Sequence, residues 1–142
     1  MANIIPDSFK SELLKGTHNF ASSGGNSFKL ALYTDISGLS ASTTAFTTTN
    51  EVSTSGTNYT SGGNALTNSG VSVASNTAFI DFADLTFSSV TLSAVGAMIY
   101  NDDNSDKICL ILDFGGTKTA TNGDFIIQFP AAGASTAIFR IA

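Results

Sequence analysis

Residues 90–114 read VTLSAVGAMIY, then NDDNSDK, then ICLILDF: two apolar runs joined by seven polar residues. The second run, Ile108 to Phe114, is almost continuously apolar and short for a helix, which fits a strand covered on both faces. The first, Val90 to Tyr100, is longer than an ordinary strand, and Gly96 predicts a bulge or bend inside it. In the linker, Asn, Asp and Ser side chains can satisfy nearby backbone groups, which makes it a turn. The stretch predicts a β-hairpin at the centre of an antiparallel, all-β domain.

Working outward, Gly115 to Gly123 (GGTKTATNG) reads as a second polar turn. Phe125 to Phe129 reads as a strand ended by Pro130, which has no N–H for a ladder. Ala131 to Ser135 reads as loop, and Thr136 to Ala142 as a closing strand. Upstream, Val71 to Ala74 and Ala78 to Phe82 read as strands around a turn at Ser75-Asn76-Thr77, and Leu85 and Phe87 continue the apolar series. Phe28 to Thr34 alternates, with Phe28, Leu30 and Leu32 on one side and Lys29, Ala31 and Tyr33 on the other, as in a half-buried strand. Asp35 to Thr49 is weakly patterned, with Ile36, Leu39 and Phe46 as its large anchors. Glu51 to Asn68 predicts a long ordered loop with short strand pieces.

Met1 to Lys15 is the helix candidate. Pro6 suits a first turn, Gly16 a C-terminal stop. Ile5, Phe9 and Leu13 form an apolar stripe, which Leu14 widens. A helix this short needs something to dock on. Seven or eight short strands with turn signals between them predict an antiparallel β-sandwich, jelly-roll or barrel-like, with one short N-terminal helix. Residues 1–142 read as one domain, with 1–16 as helix and arm and 27–142 as the β-domain.

Composition agrees. The 142 residues are 42% hydrophobic, enough for a core, and only 12% charged, about half the usual share. Ser, Thr, Asn and 13 Gly make up the difference, which favours strands and turns over exposed helices. A net charge of −5 with six scattered Lys or Arg argues against a phosphate-binding groove and hence against nucleic acid. Phe dominates the aromatics, with no Trp, a core signature. Lone Cys109 excludes an internal disulfide. No apolar run is long enough to span a membrane, and the N-terminus lacks the order of a signal peptide, so synthesis and retention in a cytoplasm are expected.

Few residues carry chemistry. His18 and Cys109 share no local motif, and a thiol within an apolar strand is expected to be inert. Asp102, Asn104 and Asp106 are spaced like the first ligands of a calcium loop, but Lys107 and Asp113 stand where that loop needs Gly and Glu. The simpler reading is a solvated turn. Asp81 and Asp84 lie three apart on a strand pattern, so they face opposite ways and do not share a cleft. The glycines form no nucleotide-binding pattern. No cofactor, metal or catalytic group is expected.

Three stretches carry a resemblance: MANIIPDSFKSELLKGTHNF (residues 1–20), TTNEVSTSGTNYTSGGNALTNSGV (48–71) and LDFGGTKTATNGDFIIQFPAAGASTAIFRIA (112–142). Together they resemble a group of small virion structural proteins of tailed bacteriophages, including cyanophages. The most specific piece runs from Glu51-Val52-Ser53 to Tyr59-Thr60 and Gly62-Gly63. Related sequences carry it in a shorter form, close to EVSGTGYT, and Thr54 to Asn58 makes a longer loop here. The resemblance implies a non-catalytic particle component. The expected role is a capsid decoration, or cement, protein on the virion surface, made in the host cytoplasm. Its expected partners are the major capsid protein and further copies of itself, with a trimer as the first guess. The expected contact elements are the N-terminal helix, the Glu51–Gly63 loop and the C-terminal strand, with Ile4, Ile5, Phe9, Leu13 and Tyr59 as contact residues. Competing expectations are a tail or fibre-adaptor subunit and a host-surface binding module.

Overall fold

Both sides of the segment from Phe28 to Tyr33 are buried, and that fact organises the fold. The computed structural model describes residues 2–142; Met1 lies outside them. The described residues form one helix, α1 (Asp7–Leu14), and seven strands: β1 (Phe28–Tyr33), β2 (Asn64–Ala65), β3 (Asn68–Ala74), β4 (Thr77–Phe82), β5 (Leu85–Asn101), β6 (Lys107–Ile127) and β7 (Phe139–Ile141). They make two antiparallel sheets, ordered β2-β1-β5-β6 and β3-β4-β7. Each sheet keeps two edges, so the barrel-like alternative does not hold. Seven strands also fall one short of the eight of a jelly roll. The architecture is an all-β sandwich.

The inner core lies between the sheets. Phe28, Leu30 and Leu32 of β1 join Val90, Leu92 and Ile99 of β5, and they meet Ile80, Phe82 and Phe139 from the smaller sheet. The outer side of the larger sheet has its own apolar layer. Ala31, Tyr33, Met98, Tyr100, Ile108 and Ile111 lie there under Ile36 and Leu39, with Ile4 and Phe46 packed against them. Residues 35–50 therefore form a cover. It is fastened by Phe46 N–H to the Asp106 carbonyl at 2.9 Å and Ile108 N–H to the Thr44 carbonyl at 3.2 Å. This cover is why Ala31 and Tyr33 are buried rather than half-exposed, as alternation alone implies.

The central hairpin forms as its sequence predicts, with residues 102–106 in the turn. Cys109 is an extra residue between the Ile99–Leu110 and Tyr100–Ile108 pairs, a bulge. It puts Cys109 and Leu110 on the same inner side, while Ile108 and Ile111 face the outer layer. Gly96 also sits at a register shift. A Cβ there would lie 2.5 Å from the Leu112 carbonyl oxygen and 2.8 Å from the Ile36 side chain.

Three expectations need correction. The helix begins at Asp7, and the Met1 end of the expected helix lies outside the described residues. Pro6 is its N-cap, with φ −62° and ψ 152°, and proline disfavours helical geometry in the residue before it. Ile4 is instead paired with Ile111 in an antiparallel bridge, with both hydrogen bonds at 2.9 Å. The helix does stop at Gly16, which adopts φ +74°. There Gly16 N–H reaches the Leu13 carbonyl and Thr17 N–H the Glu12 carbonyl, the closure that a left-handed residue permits.

Second, Gly115–Gly123 is no turn. Apart from bulges at residues 114–117 and 121–122, it continues β6 against β5, pairing Leu92 with Ala120 and Ser93 with Thr119. Phe125–Ile127, Leu85 and Phe87 thereby belong to the same two long strands. Third, the closing strand is shorter than Thr136–Ala142. It covers Phe139–Ile141, after a turn in which Thr136 N–H reaches the Gly133 carbonyl.

Candidate functional site

Three places bring chemistry-bearing or exposed apolar side chains together. The first surrounds Glu51. Its Oε1 accepts from the Tyr59 hydroxyl at 2.8 Å and from Gly62 N–H at 2.6 Å, and its Oε2 accepts from Ser61 Oγ at 2.8 Å. The Tyr59 hydroxyl also accepts Leu32 N–H at 3.0 Å, while Tyr100 donates to the Gly62 carbonyl at 2.6 Å. Burial pushes both phenols above their usual pKa, so they remain donors. One carboxylate thus organises the loop predicted to be ordered. Gly63 explains the tightness: it has φ +75°, and a Cβ there would lie 1.8 Å from the Leu30 carbonyl oxygen.

The second place is buried between α1 and the hairpin. His18 Nε2 is 2.7 Å from Glu12 Oε2, and its Nδ1 is 3.0 Å from Asn101 Nδ2 and 3.8 Å from Cys109 Sγ. Asn101 Oδ1 accepts Asp103 N–H at 3.1 Å, which fixes the amide with its NH₂ toward His18. The imidazole Nδ1 is therefore an acceptor, and Nε2–H donates to Glu12. Sequence spacing did not show this cluster, because the contacts to His18 span 6 to 91 residues. It has the members of a nucleophile–base pair but not the state of one. Burial, and then the Glu12 charge, pushes the Cys109 thiol far up, and the thiol is 1% exposed. A neutral thiol closed to solvent is a poor nucleophile. The cluster binds α1 and the loop before β1 to the hairpin.

The hairpin turn is tied down in the same way. Asp103 Oδ2 accepts Ser27 N–H at 2.6 Å, and Asn104 Nδ2 donates to the Thr17 carbonyl at 2.8 Å. Asp84 accepts Phe129 N–H at 2.9 Å, which fixes the end of β6. Among the described residues, no group of three or more His, Cys, Asp or Glu is placed to hold a metal ion.

The third place is a surface groove of about 400 Å³ between α1 and the smaller sheet, lined by Leu13, Phe20, Val71, Ala78, Ile80 and Ile141 among others. Register explains it. Val71, Ile80 and Phe139 lie in one cross-strand row, and Val73, Ala78 and Ile141 in the next. Residues directly opposite share a face, so both rows continue the inner face of the smaller sheet. Ile80 and Phe139 are buried, but Val71, Val73 and Ile141 are 55%, 72% and 51% exposed. Leu14, beside the groove-lining Leu13, is 92% exposed. No Asp, Glu, Lys or Arg lines the groove.

The expected contact residues divide accordingly. Phe9 is buried against His18, Phe20 and Phe139, so α1 docks on its own chain and Phe9 offers no surface to a partner. Tyr59 is likewise buried, on Phe87. Ile4 is partly covered by its bridge to Ile111. Ile5, off the helix, is 37% exposed, and Leu13 is a partly buried groove wall. Leu14, Val71, Val73 and Ile141 were missed. The alternation in Val71-Ser72-Val73 signals one apolar face but not that the face outruns its cover.

In comparisons with protein-family models, with curated proteins and with solved structures, nothing matches the chain.

Proposed function

We propose that this chain is a non-catalytic assembly subunit, a structural component of a tailed-phage virion that decorates the capsid and binds the major capsid protein. The observation that carries the assembly part is the exposed apolar end of the smaller sheet, formed by Val71, Val73 and Ile141. Soluble monomers rarely leave a contiguous apolar surface of this kind uncovered, and such surfaces mark contact sites. The virion part is supported by the resemblance of residues 1–20, 48–71 and 112–142. The mechanism is mass action: a protein that binds only the assembled lattice stabilises it, and many symmetric copies add weak contacts into high avidity.

The test is direct. Purified protein is mixed with capsids lacking it, and the capsids are then pelleted and heated. Retention at hundreds of copies and a higher disruption temperature support the reading. No retention, or unchanged disruption, overturns it. A few copies per virion, located on the tail, would move the protein to the tail or fibre adaptor.

A further inference from the structure

We infer that the free edge of β3 is the contact between two copies of this chain, which pair antiparallel about a two-fold axis at Ser72 into one six-stranded sheet. The inference deepens the assembly reading and rests on it. It names the occupant of that edge as the same strand of a second copy.

The sheet edges supply the first argument. Two open sheets leave four edge strands, β2, β6, β3 and β7. β2 has two residues, and β7 has three, Arg140 among them. β6 is bulged at residues 114–117 and 121–122 and carries Lys118 and Asp124, and Ile4 and Ala45 bridge its first residues. Short length, charge, bulges and covering segments all keep an edge from pairing. β3 is seven residues long, with a bulge only at its start and no Pro or charged residue. It is the unguarded edge.

The backbone supplies the second. Ser75 and Asn76, at φ 49° and 62°, make the two-residue turn that hairpins favour. Ala74 and Thr77 flank it as a hydrogen-bonded pair, and bonding then alternates along the strand. Ser72 and Ala74 therefore bond β4, while Val71 and Val73 aim their N–H and C=O groups outward. Among the described residues, no backbone group outside β4 bonds Val71 or Val73.

The sequence names the occupant. Residues 68–76 read NSGVSVASN, the same in both directions except that Gly70 answers Ala74. Antiparallel pairing about Ser72 sets Val71 of each copy opposite Val73 of the other. These are the outward-bonding residues, so the ladder closes. A register shifted by one residue would set outward groups against inward ones. Opposite residues share a face. Val71 and Val73, 55% and 72% exposed in one chain, thus gather into a cluster of four valines, and Ser72 meets Ser72 on the other face. Each chain carries −5, but the paired strands carry no charge and add no close repulsion. Such a contact is isologous and makes a pair rather than a ring of three.

The experiment is sedimentation velocity on the full chain at concentrations up to about 1 mM, because a strand contact is smaller than a standard interface. The expected species has twice the 14.6 kDa chain mass. Ser72→Lys or Ser72→Glu sets like charges opposite each other across the axis and is expected to weaken the pair about fivefold. An equal mixture of the two variants is expected to restore it, because Lys then faces Glu. Both variants should melt like the parent, since Ser72 is exposed. Ser72→Cys is expected to form a disulfide between chains on oxidation, because opposite residues that exchange no hydrogen bonds lie about 4.5 Å apart at Cα, within disulfide reach. Cys109 is buried and does not compete. Monomeric parent protein, a Ser72→Lys pair as tight as the parent, a mixture no tighter than either variant alone, or no cross-link overturns the inference. The capsid pelleting test separates this from the virion reading. A monomer that binds capsids overturns the pair alone, and a dimer that ignores capsids overturns the virion role alone.

Discussion

The Tyr59 hydroxyl donates to Glu51 Oε1 at 2.8 Å while accepting the Leu32 amide at 3.0 Å. One phenol thus satisfies a backbone donor of β1 and a carboxylate eight residues away, and it fastens the Glu51–Gly63 loop to the core. Tyr59→Phe keeps the ring packed on Phe87 but leaves the buried Leu32 N–H without that acceptor and removes a donor from Glu51. Stranding a buried polar group costs about 1–3 kcal/mol. The expected result is a loss of that size in urea unfolding with an unchanged m-value. A loss below about 0.5 kcal/mol, the scale of an ordinary surface change, would mean that water replaces the hydroxyl.

Gly63 is the hinge of the same loop. At φ +75°, with the Leu30 carbonyl oxygen 1.8 Å from the position of a Cβ, any side chain must push β1 and the loop apart. The neighbour is backbone and cannot swing aside. Gly63→Ala is expected to cost more than about 3 kcal/mol, counting left-handed strain and overpacking, and to appear largely in insoluble material. Gly56 is the control. It has φ +71° but open space at its Cβ, so Gly56→Ala carries only the left-handed strain, about 1–2 kcal/mol.

Phe9 anchors the helix. It is buried and packs on His18 at 4.9 Å, Phe139 at 5.2 Å and Phe20 at 6.1 Å between ring centroids. Phe9→Ala is expected to cost about 3–5 kcal/mol. Hydrogen exchange should show α1 opening first, because an eight-residue helix has little stability of its own. Protection in α1 that survives the substitution would place its anchor elsewhere.

Much of this architecture is legible in the chain, and the misreadings share a cause. Alternation at Phe28, Leu30 and Leu32 and the unbroken apolar run from Ile108 give the two central strands, because burial acts directly on those side chains. Gly16 and the turn formers at residues 101–107 place a stop and a reversal through local geometry. GGTKTATNG reads as a turn because its composition is polar, yet Thr119, paired with Ser93, sits on the solvent face of a ladder held by β5. Only Ala120 of that run is buried, so the pairing is a tertiary effect with no local signature. Leu14 reads as part of the docked stripe because spacing alone cannot say how wide a face is covered. The His18, Glu12, Asn101 and Cys109 cluster comes from chain crossings that no spacing encodes.

Cys109 tests whether that cluster is a lock or a reactive centre. Its thiol is pushed far up, first by burial and then by the Glu12 charge, and Nδ1 of His18 lies 3.8 Å away with its lone pair already facing Asn101. A base placed so could activate a thiol only if Asn101 withdrew and solvent entered. Neither occurs in a closed core, so alkylation should require opening. The native protein is expected to react with iodoacetamide at least about a hundredfold more slowly than a free cysteine of ordinary pKa near 8.5, and guanidinium unfolding should restore the full rate. Asn101→Leu removes the contact to His18, the acceptor for Asp103 N–H and the contact to Asn26 at 3.1 Å. It is expected to destabilise by about 2–4 kcal/mol, through a broken buried network, and to speed labelling by the matching increase in opening. Mass spectrometry of the intact chain after timed labelling reads both rates. Fast native labelling of the parent protein, at a rate independent of stability, would mean that the thiol is accessible and that the cluster does chemistry.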